Sequence, residues 1–167
     1  MIVEKGYVSN TEAIEINVPR AELLGWLDRT PLSKILTPTE GMPAVAGTVM
    51  LEGDRWGEVG ARRRIELSDG HYAVETVLSR TPARFSYQVW GFTSTAGQFT
   101  DYAIGEFVYD DEGETTLVTW IYQFKVKNTI ARLPLGHFVR NQFQPFMENG
   151  LATMKAEAEA ATKASTQ

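Results

Sequence analysis

The sequence of 167 residues contains no cysteine, which excludes disulfides, thiolate metal sites and a cysteine nucleophile. It also has no excess of basic residues, since 16 Lys and Arg stand against 21 Asp and Glu and the formal net charge is −5. Non-specific nucleic-acid binding needs basic surfaces that neutralise phosphates, so we expect no nucleic-acid partner. No apolar run approaches the roughly 20 residues that span a bilayer, so we expect no stable membrane insertion.

Targeting segments and common catalytic motifs are missing as well. The N-terminus does not place a basic stretch before an apolar one, so the expected location is the cytoplasm. The chain has only two histidines, and they do not form a ligand pair at helical spacing. It contains no glycine-rich phosphate loop and no nucleophile elbow. We therefore expect neither a metal ion nor a cofactor.

What the sequence does contain is typical of one globular domain. Its composition is 43% hydrophobic and 22% charged, which is enough apolar material for a core. No internal repeat and no linker rich in Gly, Ser or Pro divides the chain. We predict a single domain over residues 1–167, with the last few residues frayed.

Seven segments have the alternating, β-branched pattern of strands and are separated by short turn sequences. Such short links join antiparallel neighbours, because parallel crossovers need a dozen residues or more. The predicted strands lie near Glu12–Val18, Gly47–Glu52, Glu58–Leu67, His71–Leu78, Arg84–Phe92, Gln98–Tyr109 and Thr115–Val126.

Helical spacing of apolar residues predicts helices on both sides of these strands. Two short helices follow the first strand: one begins at Pro19, and a second, around Ile35, ends before Pro38. A long amphipathic helix is predicted from Gly136 to about Lys163. Pro145 lies inside it and removes a helical hydrogen bond, so the helix either kinks there or begins there; we favour a kinked continuous helix.

Four segments carry a resemblance to a known superfamily. They are I-E-I-N-V-P-R-A-E-L-L-G-W-L-D at 14–28, V-G-A-R-R-R-I-E-L-S-D-G at 59–70, A-R-F-S-Y-Q-V at 83–89 and E-T-T-L-V-T-W-I-Y-Q-F at 114–124. The chain resembles the START-like superfamily (SRPBCC), in its polyketide cyclase/dehydrase and lipid-transport branch. The resemblance implies an α+β helix-grip fold, in which a seven-stranded curved antiparallel sheet surrounds the long C-terminal helix. It also implies an elongated apolar cavity between the two.

The link Ser68-Asp69-Gly70 fits a three-residue hairpin with glycine in the left-handed position. That register places Arg63 opposite Glu75 on the inner face of the sheet. We expect an ion pair near the cavity wall, which either anchors a ligand or has a structural role only. A loop of two or four residues would turn Glu75 outward.

Aromatic residues at alternate strand positions, with apolar residues of the last helix, are the other candidate ligand contacts. A ring set of this kind suits a planar or isoprenoid ligand, but ordinary core packing explains it equally well. The predicted ligand-binding residues are Arg63, Glu75, Phe85, Tyr87, Phe107, Trp120, Tyr122, Phe124, Phe143 and Met147. His137, at the start of the terminal helix, is a candidate general base, and Arg63 and Glu75 are the other catalytic candidates.

Three functions remain open at this point. The first is a carrier or sensor that binds a small hydrophobic molecule, such as a lipid, an isoprenoid or an aromatic compound. The second is a cyclase or dehydratase without metal that uses the same cavity for a polyketide-like substrate. The third is a co-chaperone-like module that binds proteins through an exposed apolar patch. The expected oligomeric state is a monomer or a homodimer.

Overall fold

The computed structural model describes residues 6–165. Its seven strands are β1 (Tyr7–Ile16), β2 (Val45–Glu52), β3 (Arg62–Leu67), β4 (Tyr72–Arg80), β5 (Arg84–Trp90), β6 (Thr100–Asp111) and β7 (Thr116–Val126). Its α-helices are α1 (Arg20–Leu27), α2 (Arg132–Phe138) and α3 (Gln144–Ser165). Single 3-10 turns occur at Leu32–Lys34 and Thr95–Gln98, and a π-helical turn at Val139–Phe143 joins α2 to α3.

All seven strands belong to one antiparallel sheet in the order β1-β7-β6-β5-β4-β3-β2. From β2 to β7 each strand therefore pairs with the next in sequence, and β1 closes the order beside β7. The sheet is curved and its inner face is turned toward the C-terminal helix. The predicted α+β helix-grip architecture is confirmed.

The hairpin between β3 and β4 has the predicted register. Gly70 takes a φ of +87°, which is the left-handed conformation that this turn requires. The backbone amide of Leu67 donates to the carbonyl of His71, 2.8 Å away. Arg63 therefore lies directly opposite Glu75.

Two predicted strand boundaries were wrong for different reasons. β1 begins at Tyr7 rather than Glu12, because its pairing with β7 holds the polar residues Ser9, Asn10 and Thr11 in a strand. β3 begins at Arg62 rather than Glu58, because the backbone before it turns through glycines that include Gly60, at a φ of +88°.

The second short helix after β1 is only a 3-10 turn. Its three residues, Leu32–Lys34, follow Pro31, which fixes its own backbone angle and donates no hydrogen bond. Pro38 stands four residues after the turn and prevents a longer helix. Ile35 and Leu36 are nevertheless buried in the core, as their spacing indicated.

The C-terminal segment is helical from Arg132 to Ser165, so the prediction of one continuous helix is confirmed, although the helix begins four residues before the predicted Gly136. The π-helical turn ends two residues before Pro145. In an ordinary α-helix the ring of Pro145 would press on the carbonyl of Asn141, four residues earlier. We attribute the π-helical turn to this steric clash, because a wider turn relieves the clash without ending the helix. No helix within residues 6–165 has the length and hydropathy needed to cross a membrane.

Hydrogen bonds made by charged side chains connect the last turns of α3 to the residues at the end of β1. The Glu159 carboxylate accepts hydrogen bonds from the backbone amide of Asn17 at 2.9 Å and from its side-chain amide at 2.8 Å. Lys155 lies 3.0 Å from the same carboxylate and donates to the carbonyl of Glu15 at 2.6 Å. These bonds hold α3 against the end of β1.

Replacing Glu159 with alanine is predicted to lower the free energy of unfolding by about 1 kcal/mol at neutral pH. The bonds from Asn17 and then Lys155 lower the pKa of Glu159 below its usual value of 4.5. Its contribution is therefore present above pH 4.5 and is lost as the pH falls through the lowered pKa. Urea denaturation at neutral pH and at about pH 3 measures the difference.

The matched control is Glu157→Ala, which removes only an exposed pair with Lys34 at 3.5 Å. We expect that variant to unfold like the unmodified protein at both pH values. An equal loss of stability at both pH values for Glu159→Ala would contradict the assigned role of the ionised carboxylate.

Candidate functional site

A cavity of about 1330 Å³ lies between the inner face of the sheet and the C-terminal helix. Side chains from the sheet, from α1 to α3 and from the connecting loops line it, and most of them are apolar. All of the predicted site residues except Met147 are among these lining residues: Arg63, Glu75, Phe85, Tyr87, Phe107, Trp120, Tyr122, Phe124, His137 and Phe143.

The cavity extends toward both ends of the sheet. His71 and Thr95, from loops at one end, contribute to its lining, and so do Val59 and Pro82 at the opposite end. Val59 is 68% exposed, so the lining continues to the protein surface there. The space is therefore an elongated passage rather than a closed void.

Aromatic rings form a continuous layer along the sheet side of the cavity. Phe107 stacks on Trp120 with ring centroids 4.9 Å apart and on Tyr109 with centroids 6.0 Å apart. On the helix side, Phe143 meets the edge of Tyr122 at 4.7 Å. Alternation along β6 and β7 directs these rings inward, as the sequence pattern predicted.

The Arg63–Glu75 ion pair is formed on the cavity wall. Arg63 Nε donates to Glu75 Oε2 at 2.8 Å, and the two side chains are only 12% and 9% exposed. The Arg63 guanidinium also lies over the ring of Trp56, 3.8 Å from the ring centre. An ion pair this deeply buried is expensive to desolvate, so its net contribution to stability is small.

The hydroxyls of Tyr87 and Tyr122 extend the polar surface of the ion pair into the aromatic layer. We call Arg63, Glu75, Tyr87 and Tyr122 together the polar patch. The indole Nε1 of Trp120 donates to the hydroxyl of Tyr87 at 3.0 Å. Burial, reinforced by the charge of Glu75, raises the pKa of Tyr87 well above its usual value. Burial and the neighbouring Tyr87 and Glu75 do the same for the pKa of Tyr122. Both phenols therefore stay protonated and can donate hydrogen bonds.

A glycine on the central strand makes room for this arrangement. Gly105 lies between Tyr87 on β5 and Tyr122 on β7 in the sheet register. A Cβ atom at this position would lie within 2.6 Å of three atoms of the Tyr87 side chain, two in the ring and the hydroxyl oxygen, so this phenol occupies the space that any side chain would need. Sequence reasoning missed this residue, although an isolated glycine inside a strand is a signal of close approach.

Two further residues differ from the expectations or were not anticipated. Met147 is fully buried but lies away from the cavity, with its sulfur 3.3 Å from the side-chain amide of Asn10 on β1. Met147 is therefore not part of the cavity lining, because the apolar stripe of the helix is wider than the cavity. Trp56 was not predicted, because it lies in the loop between β2 and β3, where no periodic pattern exists.

His137 occupies the edge of the cavity. It is exposed near the end of α2, and its Nδ1 lies 3.2 Å from the side-chain amide of Asn141, one turn later. Within residues 6–165 no cluster of three His, Cys, Asp or Glu side chains could hold a metal ion.

Comparison with known proteins gives a family match over most of the chain. A family model described as "Polyketide cyclase / dehydrase and lipid transport" matches residues 8–159. Among the curated proteins, none matches significantly.

Many solved structures share the fold at low sequence identity. The crystal structure of Ara h 8.0201 is 16% identical, with a TM-score of 0.71, and the alignment covers 93% of this chain and 99% of that one. A norcoclaurine synthase point mutant from Thalictrum flavum, in complex with a transition-state analogue, is 11% identical, with a TM-score of 0.67 and coverage of 93% and 96%. Major latex-like protein 151 from Panax ginseng is 17% identical, with a TM-score of 0.61 and coverage of 92% and 98%. At these identities the likeness shows the fold alone.

The buried tyrosines predict how the protein behaves at high pH. Burial raises the pKa values of Tyr87, Tyr109 and Tyr122 above the usual 10, so these phenols keep their protons in the folded state. The stability that they contribute is present below pH 10 and is lost as the pH rises, because only the unfolded chain can release those protons. Ultraviolet absorbance of tyrosinate, followed together with circular dichroism, should show part of the ionisation coinciding with unfolding.

The variant Tyr109→Phe tests this assignment. It should reduce only the absorbance step that accompanies alkaline unfolding and leave the earlier, gradual rise unchanged. A reduction in the earlier rise would mean that Tyr109 ionises in the folded protein, and the assignment would then be wrong.

Proposed function

Because the chain belongs to the polyketide cyclase/dehydrase and lipid-transport family, we propose that it binds one small hydrophobic molecule in the cavity between the sheet and the C-terminal helix. The observation that carries this proposal is the size of the cavity together with its aromatic lining. Cavities of about 300–1,000 Å³ hold drug-sized ligands, and 1330 Å³ provides room for a molecule of at least that size.

A cavity of this size does not remain empty. Because the passage reaches the protein surface at Val59, water can enter it whenever no ligand is bound. The cavity therefore contains water or an apolar molecule. Contact with an apolar ligand would remove the exposed aromatic lining from water, and this burial is the main source of affinity.

The polar patch adds a constraint on the ligand. The Tyr87 oxygen accepts a hydrogen bond from Trp120, which leaves its own proton for another acceptor. Raised pKa values keep Tyr87 and Tyr122 as donors. The preferred ligand is then a molecule with an apolar body and an oxygen that accepts a hydrogen bond near Arg63 and Glu75. An isoprenoid or aromatic compound with a carbonyl or hydroxyl group has this chemistry.

The same patch supports a second candidate function, an intramolecular aldol condensation. In such a reaction the Glu75 carboxylate would remove a proton from a carbon between two carbonyl groups of a poly-β-ketone. The resulting enolate carbon would attack a distant carbonyl carbon of the same chain and close the ring. The alkoxide formed would take the proton back from Glu75, and loss of water would then leave a carbon–carbon double bond in the ring. Tyr87 and the Arg63 guanidinium would stabilise the enolate oxygen. The observation that favours this candidate is a buried carboxylate beside a cation and two neutral phenols.

Ligand binding predicts that filling the cavity blocks a fluorescent apolar probe. Ala73 lines the cavity on β4, and Val74, the next residue, points to the opposite face of the strand. We expect Ala73→Phe to weaken the binding of N-phenyl-1-naphthylamine at least about tenfold, because a phenyl ring would occupy the space. Val74→Phe is the matched control and should bind the probe like the unmodified protein.

A fluorescence titration measures the two affinities, and circular dichroism shows that both variants are folded. Equal probe affinity in the unmodified protein and in Ala73→Phe would contradict the proposed site. Solvent extraction of the purified protein followed by mass spectrometry adds a direct test, because a carrier of this kind should retain an apolar compound.

The second candidate predicts turnover of a linear poly-β-ketone that depends on Glu75. We expect Glu75→Gln to reduce the cyclisation rate about a hundredfold or more, because an amide cannot take the proton. Glu75→Asp is the control that keeps the carboxylate and should retain part of the rate. No acceleration over buffer by the unmodified protein would exclude this chemistry for that substrate class and leave the binding proposal standing.

A further inference from the structure

The two most exposed large apolar side chains among residues 6–165 lie together at the start of α2. Ile130 is 87% exposed and Leu133 is 82% exposed. Residues three positions apart share one face of a helical turn, so these two side chains project in the same direction. Together they form a small exposed apolar surface that a partner with an apolar layer can bury.

The charge around this pair differs from that of the whole chain. Although the protein is acidic, the segment 115–147 contains four of the 16 basic residues and none of the 21 acidic ones. Lys127 is exposed and forms a loose pair with Asp101 at 3.8 Å. Arg132 and Arg140 are exposed, and neither forms an ion pair with any residue between 6 and 165. An apolar pair flanked by free guanidinium groups complements a surface that has anionic groups above an apolar layer.

The same helix borders the cavity. Pro134, His137 and Phe138 of α2 contribute to the cavity lining, next to the exposed pair in sequence. A surface that covers Ile130 and Leu133 would therefore also lie close to the part of the cavity that α2 lines.

From these observations we propose that α2 docks reversibly on an anionic lipid bilayer, with Ile130 and Leu133 between the acyl chains and Arg132 and Arg140 near the phosphates. The inference rests on the proposed function and deepens it: the ligand class becomes a hydrophobic molecule that resides in membranes and enters through the end of the cavity bordered by α2.

A bilayer fits this surface better than a second copy of the chain. A stable protein interface buries about 800 Å² on each partner, whereas the exposed apolar surface at the start of α2 consists of only two side chains. Shallow insertion needs no complementary protein surface, and a small number of aliphatic and basic side chains is enough for reversible attachment.

The test is co-sedimentation with vesicles made of equal amounts of phosphatidylcholine and phosphatidylglycerol. The double variant I130S/L133S should reduce vesicle binding by about a hundredfold, since each buried aliphatic side chain accounts for roughly tenfold or more. The matched control V49S/L51S removes two exposed apolar side chains from β2, which are 41% and 51% exposed, and should bind like the unmodified protein.

A second pair of variants tests the charges. R132Q/R140Q should weaken binding about twenty-five-fold, at about fivefold for each guanidinium. R29Q/K163Q changes the net charge by the same amount elsewhere and should have little effect. Vesicles of phosphatidylcholine alone should bind the unmodified protein weakly, and salt should weaken binding to the anionic vesicles.

The outcomes separate this inference from the proposed function. If the anionic vesicles do not bind while N-phenyl-1-naphthylamine still enters the cavity, the docking inference is overturned and the proposed function stands. If the probe does not bind, the proposed function fails whatever the vesicles do. Equal vesicle binding by I130S/L133S and V49S/L51S would also overturn the inference. So would an unmodified protein that dimerises through Ile130 and Leu133 and ignores vesicles.

Discussion

The close contact between α3 and the sheet at Gly150 determines the shape of the interior. A Cβ atom on Gly150 would lie 2.8 Å from Leu36 Cδ2 and 3.3 Å from Trp120 Cζ3, so these two side chains would have to shift to admit any side chain at this position. The helix is held at that distance on one side, where it packs against β1. Toward β3 and β4 the curved sheet moves away from the helix, and the space between them becomes the cavity.

Within that space the protein combines apolar and polar walls in a defined way. Stacked rings on β6 and β7 provide a broad apolar surface, while Arg63, Glu75 and two phenols form a single polar patch. Arg63 pairs with Glu75, and Tyr87 accepts a hydrogen bond from Trp120, so these members of the patch have partners in the protein without a ligand. The same groups are nevertheless close enough to the cavity to recognise an oxygen, which is the chemical basis of both candidate functions.

The binding and docking proposals together describe the transfer of a hydrophobic molecule between a bilayer and the cavity. A molecule that prefers the cavity to water also prefers a bilayer to water, so transfer between them needs a place where the two apolar phases meet. The start of α2 is such a place, because Ile130 just before the helix and Leu133 inside it are close in sequence to the cavity-lining residues of α2.

Local chemistry in the sequence was sufficient for the antiparallel order of β2 to β7, the terminal helix and the Arg63–Glu75 pair, because the short turns and the alternation of side chains depend on near neighbours. It did not predict the position of β1 beside β7. The family resemblance supplied the curvature of the sheet and the cavity. Only the tertiary structure decided which apolar residues face that cavity: Phe143 lies on its wall, whereas Met147, one turn later on the same stripe, packs against Asn10. The tertiary structure also decided the contact of the Arg63 guanidinium with the Trp56 ring and the position of the Tyr87 side chain against Gly105. Such contacts join residues that are distant in sequence, and their geometry depends on how helix and sheet pack, which no local pattern specifies.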